Sequence, residues 1–252
     1  MYGMSLMLTN YFRFKQFTIQ QSDVSMRINT DGVMLGAWAE VQGATRILDV
    51  GTGTGIIALM LAQRTNTALI DAVEIDKDSA MQAAKNITAA PWAERMRVFP
   101  LSFQAYTAKA DTRYDLIVSN PPYFVDALLP DNEQRLLSRH AASLPYDELI
   151  AGVNTLLTAT GRFCLILPYA EANIFIAKAA MAGLYCTHKT NVCAAPGNPV
   201  KRLLLTLERK LSPVKEQTLY IYLSREHLKN NIPSDAYSPE YRALTKEFYL
   251  YF

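Results

Sequence analysis

One feature constrains this chain more than any other: a short apolar strand pattern that runs straight into three alternating glycines. Ile47-Leu48-Asp49-Val50 is followed by Gly51-Thr52-Gly53-Thr54-Gly55, and then by Ile56–Arg64, an apolar stretch of helical length. Strand, glycine turn and helix in that order open a β-α-β unit. Glycine there permits a tight turn and lets the backbone lie close to a ligand. The alternation continues down the chain. Leu69–Val73, Met96–Phe99, Leu116–Val118 and Phe163–Leu167 read as buried strands, and Leu203–Leu207 as a late one. Asp78–Ile87, Leu149–Leu157 and Ala170–Ala182 read as helices, with Pro145, Asp147 and Glu148 suiting a first turn. Strands alternating with helices predict an α/β chain with a doubly wound, mostly parallel sheet.

Both ends decorate this pattern. Residues 1–45 form an N-terminal extension, and 46–252 the main domain, the whole reading as one compact unit. Residues 11–28 suggest one or two strands, from Phe12, Phe14 and Ile19 among polar neighbours. Thr30 is placed as an N-cap before Val33-Met34-Leu35 and Trp38. At the other end, Leu219–Leu223 suggests an edge strand and Tyr241–Tyr251 a helix.

At 252 residues and 50% apolar content the chain can bury a sizeable core. No apolar run reaches the roughly 18 residues of a membrane span. Met1 to Asn10 lacks the basic-then-apolar order of a secretory signal, so a cytoplasmic location is expected. Cys164, Cys186 and Cys193 are odd in number and far apart, which fits neither a disulfide framework nor a zinc site. The net charge is only +2, but residues 186–230 carry eight basic side chains against three acidic. Lys201, Arg202 and their neighbours there, with Arg13, Lys15 and Arg27 near the start, suit a polyanionic partner.

A second motif, Asn120-Pro121-Pro122-Tyr123, follows the apolar Leu116-Ile117-Val118. An exocyclic amine on a planar base is a poor nucleophile, because its lone pair feeds the ring. Acceptors on its two N–H groups favour a pyramidal nitrogen and stabilise the charge that develops there. The Asn120 side-chain carbonyl and the Pro121 backbone carbonyl supply two such acceptors. The prolines stiffen the loop and remove competing donors. Tyr123 provides a stacking face. A plain Asn-Pro turn competes as a reading of the motif alone.

The glycine loop starts too early for a dinucleotide fingerprint. Counting from Gly51, the sixth position is Ile56, where the fingerprint wants Gly or Ala, while the register from Gly53 to Ala58 begins two residues late. Asp49-Val-Gly-Thr-Gly-Thr-Gly instead resembles the loop of class I S-adenosylmethionine-dependent methyltransferases. That resemblance implies a Rossmann-like sheet of seven strands, and S-adenosylmethionine held by Asp49, Gly51, Gly53 and Gly55. Glu74, 23 residues after Gly51 at the end of the second strand, is positioned to accept both ribose hydroxyls; Asp76 is the weaker candidate. Ser102 and Phe103 follow the third strand, where the adenine contact falls. Ser102 stands where such families often carry an acid.

Asn-Pro-Pro-Tyr after a strand resembles the signature of N-methyltransferases acting on adenine, guanine or glutamine amides. Phe14–Phe17, Asn29–Trp38, Pro91–Arg95 and Tyr241–Tyr249 narrow the resemblance, nearly end to end, to the bacterial family of tRNA adenine-N6 methyltransferases. That family modifies the adenosine next to the anticodon, position 37, of valine tRNA. It implies a tRNA partner, no membrane, no obligate protein partner and no metal, since a sulfonium is already an activated methyl donor. It also brings Thr30 and Asp31 to the cofactor mouth and Asn120 to both cofactor and target. Guanine-N2 methylation of ribosomal RNA and glutamine methylation of a release factor stand as alternatives. Trp38 is read as core, Phe124 as pocket wall, and His140 beside Arg139 as a loop surface.

Overall fold

The computed structural model describes residues 10–22, 28–122, 144–224 and 236–252. The extension folds as β1 (Tyr11–Arg13), β2 (Thr18–Gln20) and α1 (Thr30–Trp38). The alternating part follows as β3 (Arg46–Val50), α2 (Ile56–Gln63), β4 (Leu69–Val73), α3 (Lys77–Thr88), β5 (Met96–Phe99), α4 (Phe103–Lys109) and β6 (Tyr114–Ser119). After it come α5 (Tyr146–Leu156), β7 (Leu157–Pro168), α6 (Tyr169–Met181), β8 (Tyr185–Cys193), β9 (Val200–Glu208), β10 (Lys215–Tyr220) and α7 (Pro239–Thr245).

Eight strands join one sheet in the order β10-β8-β9-β7-β6-β3-β4-β5, and β1 with β2 makes a separate antiparallel hairpin. Strands β5, β4, β3, β6 and β7 run parallel, whereas β9 is antiparallel to both β7 and β8. The count is eight where seven strands were expected. Strand β8 was not foreseen, because Thr187, His188, Lys189, Thr190 and Asn191 hide its apolar alternation. Strand β10 begins at Lys215 rather than at the expected Leu219. Its first four residues are exposed, so pairing with β8 holds it, not a hydrophobic pattern. Helix α4 was likewise unforeseen, and the expected terminal helix stops at Thr245.

Successive residues of a strand face opposite sides, and the central strands bury both. Ile47, Leu116 and Val118 face one core with Val33, Met34, Leu59, Tyr241 and Phe248; the hairpin adds Phe14 and Ile19 to it. Leu48, Val50 and Ile117 face the other, closed by Phe103 of α4, Leu149 of α5 and Phe175 of α6. That double burial explains why β3 and β6 read as continuous apolar runs. Arg95 donates to the carbonyls of Ala62, Thr65 and Ala68, tying the end of α2 to the start of β4. Arg64 does the same for the Gly36 and Ala39 carbonyls at the end of α1. The three cysteines are free thiols. No helix among the described residues is long and apolar enough to cross a membrane.

Strand order reverses at β3. Strand β4 leaves on one side and β6 lies on the other, so a crevice opens beyond their C-terminal ends.

Candidate active site

The two motifs meet at this reversal. Val50 and Ser119, the last residues of β3 and β6, are register partners, and Ser119 Oγ donates to the Val50 carbonyl at 2.9 Å. The glycine turn and Asn120 therefore leave the sheet side by side.

The turn adopts left-handed backbone at Gly51 (φ 73°), Gly53 (φ 56°) and Gly55 (φ 85°). A Cβ added at Gly51 or Gly53 would meet nothing within 4 Å, so backbone conformation and not crowding demands glycine at both. Gly51 N and Thr52 N both donate to the Val73 carbonyl, at 2.9 and 3.1 Å, hooking the turn onto the end of β4. Glu74 comes next in the chain. Its Oε2 accepts from Gly53 N at 2.8 Å and its Oε1 from Asp76 N at 2.9 Å. The carboxylate is 9% exposed, and burial, opposed by these N–H bonds, raises its pKa. Asp76 is occupied otherwise: its Oδ1 caps α3 by accepting from Ser79 N.

Asp49 projects from β3 toward α2. Its Oδ2 accepts from Thr52 Oγ1 at 2.6 Å and from Ala58 N at 3.1 Å. Complete burial pushes its carboxyl up to about 7, against the lowering effect of those two bonds. Its Oδ1 is buried and finds no donor among the described residues; the same holds for Asn120 Oδ1. Such an acceptor costs roughly 1–3 kcal/mol to leave unmade. The two lie near the C-terminal ends of neighbouring strands, a candidate place for donors from outside the chain. With the open glycine turn and the Glu74 carboxylate, this set fits a ligand bearing a cation and vicinal hydroxyls.

Pro121 is buried and Pro122 exposed; Tyr123, Phe124, Arg139 and His140 lie outside the described residues. Ser102 caps α4, its Oγ accepting from Ala105 N at 3.1 Å. The Phe103 ring is 4% exposed and packs where a Cβ on Gly152 of α5 would strike it. Both side chains are thus engaged in building α4. Thr30 is the first residue of α1 and exposed; the cap is Asn29, whose Oδ1 accepts from Gly32 N at 2.8 Å. Asn caps at least as well as Thr, and the helix starts one residue earlier for it. Asp31 pairs with Arg202 at 2.7 Å, holding the first turn of α1 to the start of β9.

Sequence reasoning missed Asn86, a buried residue of α3. Its Nδ2 donates to the carbonyls of Thr54 at 2.9 Å and Gln20 at 3.0 Å, and its Oδ1 accepts from Gln20 N at 2.9 Å. One amide thus joins the glycine turn to the hairpin. Its signal was available: Ser79, Gln82 and Asn86 form a polar stripe on the buried face of α3.

The basic stretch is partly spent inside the fold. Lys189 pairs with Glu216 at 2.9 Å, and Arg209 donates to Asn154 and to the Leu157 carbonyl. Lys201, Lys210 and Lys215 are exposed, while Arg225 and Lys229 lie outside the described residues.

Comparison with known proteins gives the family of the chain. The methyltransferase small domain family matches residues 33–166. A protein of Trichodesmium erythraeum named tRNA1(Val) (adenine(37)-N6)-methyltransferase is 44% identical over 96% of this chain and 98% of its own length. One of Bacteroides fragilis with the same name is 44% identical over 95% and 98%. Among solved structures, a predicted O-methyltransferase from Agrobacterium tumefaciens superposes with a TM-score of 0.67 at 18% identity, over 86% of this chain and 96% of that one. That likeness carries the fold alone. The chain belongs to the methyltransferase small domain family, in the group of proteins named tRNA1(Val) (adenine(37)-N6)-methyltransferases.

Proposed function

We propose that this protein methylates the N6 amine of adenosine 37 in valine tRNA, with S-adenosylmethionine as donor. The observation that carries the reading is the orphaned Asn120 Oδ1, a buried acceptor at the end of β6 beside the open glycine turn. When bound, S-adenosylmethionine supplies an activated methyl group on a sulfonium. Asn120 Oδ1 and the Pro121 carbonyl accept from the target amine and stabilise the charge that grows on its nitrogen. Tyr123 stacks on the base. Glu74 accepts from the ribose hydroxyls, Asp49 faces the cationic end, and Gly51, Gly53 and Gly55 keep backbone close to the cofactor. Thr30 borders the mouth from α1. Ser102 and Phe103 contribute through α4, whose start they set, rather than through their side-chain tips.

The curated relatives named for this reaction support the substrate, and the covered lengths support carrying it across the chain. Glutamine or guanine as the acceptor draws no support from those names. The test is nucleoside mass spectrometry of valine tRNA after incubation with the protein and labelled donor. N6-methyladenosine is expected. A methyl group on guanine or on protein glutamine overturns the assignment.

A further inference from the structure

The hairpin of β1 and β2 carries more exposed apolar surface than a structural ornament needs. Every residue of β1 is exposed, Tyr11 to 51% and Phe12 to 36%. Yet the hairpin is firmly seated. Phe14, Phe17 and Ile19 are buried, Lys15 N donates to the Phe248 carbonyl at 2.8 Å, and Gln20 exchanges two hydrogen bonds with Asn86. The Phe12 ring lies 4.7 Å from Phe14 and 6.1 Å from Tyr249, which sets the turn after α7 beside it. On that turn Tyr251 is 83% exposed and Leu250 41%.

The charge around these rings has one sign in excess. Residues 10–22 include no acid; of their two cations, Lys15 Nζ donates to the Lys246 and Phe252 carbonyls at 2.5 and 2.9 Å, and Arg13 is exposed. The turn adds Lys246 against Glu247. The other polar side chains of the hairpin are amides and hydroxyls, among them Gln16, Thr18 and Gln20. Rings held rigidly, with cations and amides and little negative charge, suit a polyanion that also offers flat apolar faces. Unpaired RNA is such a ligand, since each base has a stacking face and each phosphate a charge.

We infer that the β1–β2 hairpin is a second RNA-contacting surface, on which Tyr11 stacks an unpaired nucleobase of the substrate other than the methylated one. The inference rests on the tRNA reading above and extends it to a surface remote from Asn120 in sequence. Arg13 supplies a phosphate contact beside the stacked base.

The experiment measures the affinity of full-length wild type, Tyr11→Ala, Tyr11→Phe and Arg13→Gln for an unmodified valine tRNA transcript and for a blunt RNA duplex without unpaired bases. Tyr11→Ala should weaken tRNA binding by roughly 5- to 150-fold, the range of one stacked base. Tyr11→Phe should restore it, and duplex affinity should be the same for all Tyr11 variants. Arg13→Gln should lower the salt dependence by about one phosphate contact. Unfolding midpoints and S-adenosylmethionine affinity are measured alongside, to show that fold and cofactor site are intact. Equal tRNA affinity for wild type and Tyr11→Ala overturns the inference. So does an equal loss in Tyr11→Phe, or a wild-type dimer that Tyr11→Ala dissociates. Failure of the tRNA reading itself shows separately, as absence of N6-methyladenosine in the wild-type reaction.

Discussion

Replacing Asn120 with alanine should separate catalysis from stability, lowering the first steeply and leaving the second nearly unchanged. In most buried positions, removing a polar side chain strands a partner and costs about 1–3 kcal/mol. Here Asn120 Oδ1 has no partner among the described residues. Deleting it removes an acceptor already paying a desolvation penalty of that same order. The small volume lost works against this, so Asn120→Ala should unfold within about 1 kcal/mol of wild type. The methyl-transfer step should fall roughly 100- to 1000-fold, as for loss of one preorganised electrostatic contact. That equals about 2.7–4 kcal/mol of transition-state stabilisation. Urea denaturation gives the first quantity, single-turnover transfer to tRNA the second, and calorimetry checks that donor affinity holds. Near-wild-type turnover in a folded Asn120→Ala protein refutes the reasoning. So does a destabilisation beyond about 2 kcal/mol, since it would mean the orphaned oxygen is structural.

Three further outcomes are expected. Glu74→Ala should loosen S-adenosylmethionine binding by roughly 10- to 100-fold in calorimetry, since it deletes a charged acceptor and releases Gly53 N; unchanged binding removes Glu74 from the site. Asp49 is an acid raised from 3.8 to about 7, so the folded state holds its proton more tightly than the unfolded one. Its contribution to stability is therefore whole below about pH 4 and lost as pH rises to about 7. Asp49→Asn should flatten that part of a urea-denaturation series from pH 4.5 to 7.5, and an unaltered slope counts against the burial argument. Gly152→Ala should destabilise by about 1–3 kcal/mol, because the new methyl runs into the Phe103 ring. Alanine in a helix otherwise gains about 1 kcal/mol over glycine, so a rise in melting temperature would show that Phe103 does not fill that space.

The sequence made the centre of the sheet legible and its edge obscure, for one reason. Strands β3, β4 and β6 are buried on both faces, so each reads as an apolar run with a turn signal after it. Strand β10 is exposed over Lys215–Thr218 and exists through backbone pairing, which leaves no mark on side-chain pattern. The candidate site residues divide the same way. Asp49, Gly51, Gly53, Glu74 and Asn120 sit at strand ends that periodicity locates, and the fold gathers them. Nothing in Ser102-Phe103 announces a helix start there. Once α4 begins at Phe103, the Ser102 hydroxyl caps it and the ring turns into the core. Charge counting overreached for a related reason. A tally over residues 186–230 cannot see that Arg202, Lys189 and Arg209 reach back to Asp31, Glu216 and Asn154.

The Asn86 amide gives the two ends of this molecule a common fate. If the hairpin lifts away, the Gln20 N–H and carbonyl lose their partners on that side chain, and the amide that also holds the Thr54 carbonyl keeps only Gln82 as a second support. Opening at either place leaves an unmade bond on the shared amide, which couples the two. The Gln20 amide proton should therefore exchange with solvent no faster than those of the glycine turn allow. An exchange rate read at the hairpin then reports on the order of the glycine turn, without a probe placed near it.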